Sequence, residues 1–209
     1  MKPKALLFDF DGTLLASILP AYRGVCRIFR TNKLEELWPP SFLEFCEYFA
    51  PPYMDFYRQR GVTHDEATIN RLYYDVMEAE VWPFFHDVPS TLQELAQLKP
   101  MMMGILSANT EERVKGRCAQ AGLQRHLEMI RGGALNKTVA LTQFCEEQAI
   151  APENVWYVGD FGDDMRSAVK AGVVPIGITR GCGTDEVLRR NGARHCIIDL
   201  QDLATILTH

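Results

Sequence analysis

The chain lacks a basic field: 22 lysines and arginines stand against 27 aspartates and glutamates, a formal net charge of -5, and pairs such as Arg189-Arg190 do not gather into runs. Clustered cations are what hold a nucleic-acid backbone, so their absence argues against a general nucleic-acid binder. No apolar stretch is long enough to span a bilayer, which argues against a membrane partner. Ala5-Leu6-Leu7-Phe8 begins like the apolar part of a leader peptide, but Asp9 and Asp11 interrupt it. The six cysteines (Cys26, Cys46, Cys118, Cys145, Cys182, Cys196) form no C-x-x-C pair, and several occupy apolar positions, so they read as small buried thiols rather than zinc ligands or disulfides. Internal repeats and low-complexity tracts are missing too. These absences lead to the expectation of a cytoplasmic protein, monomeric or homodimeric.

What is present can build a core. With 209 residues, 47% hydrophobic and 23% charged, the chain is long enough for one large domain or two unequal ones. Lys4 to Phe10 is a short apolar run closed by Asp11-Gly12, which suits a buried strand ending in a turn. Comparable runs recur at Met101 to Leu106, Val155 to Val158, Val173 to Ile178 and Cys196 to Ile198. Helical patterns lie between them: Thr91 to Leu98 after a Ser90 cap, Thr110 to Ala121, Lys137 to Ala149, Asp163 to Ala171 and Leu200 to Leu207. Strands alternating with helices predict an α/β fold, a Rossmann-like parallel sheet with helices on both faces.

The interval from Ala16 to Phe85 breaks that rhythm and reads as helical throughout. Thr63-x-x-Glu66 suits a capping box, followed by Ile69, Leu72, Tyr73, Val76 and Met77 on one face. Pro39-Pro40 and Pro51-Pro52 separate earlier helices. The expected organisation is a core of residues 1–15 and 86–209 with an inserted α-helical domain of residues 16–85.

Chemistry concentrates at the ends of the apolar runs. Asp9-Phe10-Asp11-Gly12-Thr13-Leu14 follows the first strand, at the carboxyl edge where parallel α/β sheets present functional loops. A lone Asp-x-Asp reads first as a solvated acidic turn. The same arrangement returns at Val158-Gly159-Asp160-Phe161-Gly162-Asp163-Asp164, however, and two acidic loops on one edge repel unless a cation lies between them; an all-oxygen site suits Mg²⁺. Ser107 ends another strand just before Asn109 at a helix start, where a hydroxyl and backbone N–H groups can hold an anion. Lys137 begins a helix after Gly132-Gly133, where its charge opposes the helix dipole and an anionic ligand would offset that. Taken singly, Ser107 is equally a simple cap and Lys137 a surface charge.

In this order the four elements resemble the motifs of the haloacid dehalogenase superfamily, on its phosphoglycolate phosphatase-like branch: FDFDGTL, the Ser107 strand end, Lys137 and GDFGDD, with a helical insertion where that branch carries its cap. The resemblance implies that Asp9 is the nucleophile, forming an aspartyl phosphate, and that Asp11 is general acid and then base. It implies that Ser107 and Lys137 hold phosphoryl oxygens and that Mg²⁺ is bound by Asp9, the backbone carbonyl of Asp11 and Asp160. Asp164 is then the partner of Lys137, and Asp163 a second contact near the metal. Two positions depart from the pattern. Ala16-Ser17 stands where many relatives have an acidic residue and serine, and Thr138 where many have proline.

The implied activity is hydrolysis of a small phosphorylated metabolite, with phosphoglycolate favoured and Asn109 and Arg23 as substrate contacts. A guanidinium pairs with carboxylates in a fixed fork, so Arg23 and Arg27 suit the carboxylate of a small acid; taken singly, each reads first as an ordinary solvated helix charge. Asp11 argues against a dehalogenase, and Lys33, the one lysine of the insertion, carries no mark of a Schiff-base residue. A phosphosugar mutase of the same superfamily stays open. So does a catalytically silent protein-binding member using the aromatic stretch Phe42 to Tyr57, although Phe45, Phe49 and Phe56 read better as core of the insertion.

Overall fold

A computed structural model describes residues 2–32, 41–49, 52–98 and 101–208. Lys33, Pro39-Pro40 and Pro51 fall outside them. The short apolar runs form strands because neither face of the sheet meets water. β1 is Ala5–Phe8, β2 Met102–Leu106, β3 Met129–Arg131, β4 Val155–Gly159, β5 Val174–Ile178 and β6 His195–Ile197. They make one six-stranded sheet in the order β3-β2-β1-β4-β5-β6, and every pairing is parallel. β1, β4 and β5 are buried at every residue, as strands covered on both faces must be. The expected α/β fold class is therefore what the chain adopts.

The connecting helices are α5 Val88–Leu95, α6 Glu111–Gln120, α7 Lys137–Glu147, α8 Gly162–Lys170, α9 Asp185–Arg190 and α10 Asp202–Thr208. Ala140, Leu141 and Phe144 of α7 and Ala168 of α8 pack on the face that carries Ala5, Leu7, Val155 and Tyr157. The alternate residues Leu6, Phe8, Ile105 and Val158 are equally buried on the other face.

By its contacts the chain divides into two units, residues 1–15 with 84–209, and residues 16–83. Phe84 and Phe85 stay with the sheet because they bond the end of the first motif: Leu15 bridges Phe84, and the Phe85 N–H donates to the Leu14 carbonyl at 3.0 Å.

The second unit contains α1 Ile18–Thr31, α2 Phe42–Tyr48, α3 Tyr53–Gln59 and α4 Glu66–Met77. Phe45, Phe49 and Phe56 are buried and pack ring on ring, with centroids 4.9 Å apart for Phe45–Phe49 and 5.1 Å for Phe49–Phe56. They belong to the core of this unit.

Several local expectations are corrected. The cap of α4 is Asp65, whose carboxylate accepts the Thr68 N–H at 2.7 Å, and not Thr63. Ser90 lies inside α5 and donates to the Asp87 carbonyl, because that helix starts three residues early at an Asp87 cap position. β3 and α9 are elements that periodicity does not reveal, being three and six residues long. Cys26, Cys118, Cys145 and Cys196 are free thiols as expected.

Candidate active site

Sheet register brings the motifs together. Phe8 is level with Ile105 of β2 and Val158 of β4, so the residues just beyond them, Asp9, Ser107 and Asp160, emerge side by side at the carboxyl edge. β1 is also where the strand order reverses, with β2 and β3 on one side and β4 to β6 on the other. Open α/β sheets bind ligands at that crevice.

Asp9 is buried, and its Oδ1 lies 3.0 Å from Lys137 Nζ. Lys137 also donates to Asp164 Oδ1 at 2.5 Å. Asp160 and Asp164 are wholly buried, and with Asp9 they offer carboxylate oxygens within 4.8 Å of one another. Electrostatics records the crowding. Burial lifts Asp9 to about 7 even though Lys137 pulls it down, with Asp164 and Asp11 adding to the rise. Asp160 is pushed well above the ordinary carboxylate value by burial and then by Asp164 and Asp9. For Lys137 the burial penalty is outweighed by Asp164 and Asp9, which hold it firmly charged.

Three buried carboxylates share one ammonium, so ionising all of them calls for positive charge beyond Lys137. An all-oxygen donor set of this kind fits a hard divalent cation such as Mg²⁺.

Each carboxylate is aimed by a fixed partner. Gly12 takes φ 80°, a left-handed turn that glycine adopts without strain, and so lets the chain double back after β1. The Thr13 hydroxyl then donates to Asp160 Oδ1 at 3.2 Å, while the Cys182 N–H donates to Asp160 Oδ2 at 2.8 Å. Gly181 lies so close that a Cβ there would overlap the Asp160 carboxylate. Asp164 accepts the Phe161 N–H at 2.9 Å. Tyr157, beneath the site, donates to the Leu106 carbonyl at 3.1 Å and approaches Asp164 Oδ1 at 3.5 Å.

Asp11 is half-buried, and its Oδ2 accepts from Asn109 Nδ2 at 3.2 Å. Ser107 is buried, with its Oγ accepting the Asn109 N–H at 3.1 Å. The loop before α7 closes on this segment: Gly133 N–H donates to the Asn109 carbonyl at 2.7 Å and Ala134 N–H to the Ser107 carbonyl at 2.9 Å.

Asp9, Asp11, Ser107, Asn109, Lys137, Asp160 and Asp164 are thus gathered at one end of the sheet. Asp163 is not. It faces outward on α8 and pairs with Arg166 at 3.1 Å, because its neighbour Asp164 occupies the inward position of the first turn. Arg23 is exposed on α1 of the second unit, and Arg27 pairs with Asp75 at 3.6 Å. The roles of Thr13, Tyr157 and the Cys182 N–H are not legible in the sequence. Thr13 lies inside the first motif, and Gly181 and Gly183 around Cys182 are the local sign of a close approach.

The haloacid dehalogenase-like hydrolase family profile matches residues 6–178, which include every motif of this site. The chain belongs to that family. As a hydrolase of this family it resembles the phosphoglycolate phosphatase of Synechococcus elongatus, 26% identical over 184 residues that cover 85% of this chain and 84% of that protein. The 3-deoxy-D-manno-octulosonate 8-phosphate phosphatase of Escherichia coli K12 is 34% identical over 108 residues, 48% of this chain and 54% of that protein. Among solved structures, a haloacid dehalogenase-like hydrolase from Streptococcus pneumoniae shares the fold with a TM-score of 0.78 at 18% identity, over 98% of both chains. Among the described residues no helix is long and apolar enough to cross a membrane.

Proposed function

We propose that this hydrolase is a Mg²⁺-dependent phosphatase that cleaves a small phosphomonoester through an aspartyl phosphate, with phosphoglycolate as the favoured substrate. The observation that carries this reading is the buried Asp9 carboxylate held 3.0 Å from Lys137 beside Asp160. Asp9 attacks phosphorus, and its carboxylate oxygen takes the phosphoryl group as the bond to the leaving oxygen breaks. Asp11, steadied by the Asn109 amide at 3.2 Å, gives a proton to that leaving oxygen and later takes one from the water that cleaves the aspartyl phosphate. The Lys137 ammonium and the Ser107 hydroxyl hold phosphoryl oxygens, and placement before the reaction is what such groups contribute to a loose, in-line transfer. Asp9, Asp160 and the backbone carbonyl of Asp11 would hold Mg²⁺, which when bound supplies positive charge for the transferring group. Asp164 keeps Lys137 in place through their contact at 2.5 Å. Arg23 of the helical insertion is assigned to the substrate carboxylate, since a guanidinium pairs with carboxylates in a fixed fork.

The likeness to the phosphoglycolate phosphatase over most of both chains supports this substrate class. The test compares kcat/KM for phosphoglycolate, sugar phosphates, nucleoside monophosphates and a phosphopeptide, with Mg²⁺ and after exhaustive chelation. Turnover of small phosphate esters that disappears on chelation is expected. Full activity without metal sinks the metal reading, preference for the phosphopeptide sinks the substrate reading, and an unchanged profile in Arg23→Ala removes Arg23 from recognition.

A further inference from the structure

Thr13 reaches the acid cluster with its hydroxyl, and its carbonyl is gripped from the opposite direction. Arg180, two residues beyond β5, donates to the Thr13 carbonyl from Nε at 3.0 Å and from Nη2 at 2.6 Å. Its remaining nitrogen, Nη1, donates to both carboxylate oxygens of Asp87 at 2.6 and 2.7 Å. Asp87 Oδ2 also accepts the Leu200 N–H at 2.6 Å, so that carboxylate is anchored independently of Arg180. The guanidinium lies over the Phe85 ring at 4.2 Å. Side-chain exposure is 9% for Arg180 and 0% for Asp87.

A buried ion pair alone is weak evidence of purpose, since apolar residues of similar volume often stabilise as well. This pair does more than neutralise. Two guanidinium nitrogens converge on one main-chain carbonyl, that of the residue whose hydroxyl holds Asp160 Oδ1. The same loop continues to Cys182 and Gly183, whose N–H groups hold Asp160 Oδ2 at 2.8 Å and the Asp160 carbonyl at 2.7 Å. Both oxygens of Asp160 are therefore set by groups that this loop positions.

We propose that Arg180, held in place by Asp87, is a positioning residue that clamps the Thr13 backbone so that the Thr13 hydroxyl orients Asp160 for metal binding. The proposal rests on the reading of Asp160 as a metal ligand. Arg180 touches neither substrate nor metal, and its effect passes through Thr13.

Arg180→Lys separates this role from simple charge pairing. The ammonium keeps a cation beside Asp87, but it cannot span Asp87 and the Thr13 carbonyl with the geometry of a guanidinium fork. Mn²⁺ affinity is measured directly on the full chain by electron paramagnetic resonance, alongside the Mg²⁺ concentration for half-activation. In Arg180→Lys the Mn²⁺ Kd and the Mg²⁺ concentration for half-activation should both rise by about 10-fold or more, the scale typical of groups that orient metal ligands. KM for the ester at saturating Mg²⁺ should stay within about twofold, because substrate contacts are untouched. In a Thr13→Val background the further loss from Arg180→Lys should be much smaller, since neighbours in one network are non-additive. Unchanged Mn²⁺ affinity in a variant with lowered Tm overturns the proposal in favour of a purely structural pair, as does full additivity with Thr13→Val. Should Arg180→Lys fail to fold, Asp87→Asn carries the same test, because it keeps an acceptor for Leu200 while releasing Arg180. A wild type that binds no Mn²⁺ overturns the metal reading and this proposal together, whereas equal binding by wild type and variant overturns this proposal alone.

Discussion

Substituting Asp9 by asparagine should abolish turnover and yet stabilise the metal-free protein at neutral pH and above. Burial raises the Asp9 carboxyl from an ordinary 3.8 to about 7. Its folded-state value thus lies above its unfolded one, so the folded protein binds the proton more tightly and loses stability as pH rises between the two. Below pH 4 both states are protonated and no penalty exists; above about 7 the penalty is complete. About three pH units at about 1.4 kcal/mol each set an upper bound of about 4 kcal/mol. Asparagine does not titrate and is nearly the same size, but it loses the charge that faces Lys137, so a gain of about 2–3 kcal/mol at pH 8 is the working figure. For a chain of this length that corresponds to a rise in Tm of about 5–10 °C. The assay is urea or thermal unfolding in chelator at pH 5 and pH 8, with the variant's advantage larger at pH 8. Saturating Mg²⁺ should narrow the gap, because binding at 100 times Kd stabilises the wild type by about 2.7 kcal/mol. A variant less stable than wild type at pH 8 in chelator, or an advantage equal at the two pH values, refutes the electrostatic account. Retention of a tenth or more of wild-type kcat refutes Asp9 as nucleophile.

Lys137→Met should destabilise the metal-free protein by about 3–5 kcal/mol at pH 8, since it leaves Asp9 and Asp164 buried without their cation; a loss below 1 kcal/mol in urea unfolding would show that the charge is not needed for the cluster. Asp11→Asn should reduce kcat most for esters with poor leaving groups, which depend on a proton donor, and equal losses across a leaving-group series would assign Asp11 a structural role instead. Gly181→Ala should raise the Mg²⁺ concentration for half-activation by about 10-fold or more, because its Cβ would displace the Asp160 carboxylate; an unaltered metal requirement would show that Asp160 is free to move without consequence.

The strands of the core are legible because a parallel strand covered on both faces is written as an unbroken apolar run, and Ala5–Phe8, Val155–Gly159 and Val174–Ile178 are each such a run. The chemistry-bearing residues are legible for a related reason. Asp9 and Asp160 follow two of those runs directly and Ser107 follows Met102–Leu106, so locating the strands also locates the edge of the sheet. Short elements escape this logic. Met129–Arg131 is half-buried throughout and too brief to show a period, and Asp185–Arg190 is a single helical stretch whose Thr184 cap resembles any polar turn.

The start of α5 is hidden because the side chain at its cap position serves distant partners. Asp87 occupies the cap position of α5, but its carboxylate is taken by Arg180 and Leu200, and nothing local distinguishes it from a solvated acid. Asp163 and Asp164 are likewise adjacent in sequence and equal in chemistry. Only the direction of the first turn of α8 turns Asp164 toward Lys137 and Asp163 toward Arg166.

The sequence by itself determined the layered α/β plan and the motif residues, because burial on two faces and position after a strand leave a local record in residue type and spacing. The tertiary structure alone decided how those residues are held. Thr13 and Asp160 are 147 residues apart, and Arg180 and Asp87 are 93 apart. They meet because the parallel pairing of β1 with β4, and of β4 with β5, delivers their loops to the same end of the sheet, and a hydrogen bond formed by such a crossover leaves no period or motif along the chain.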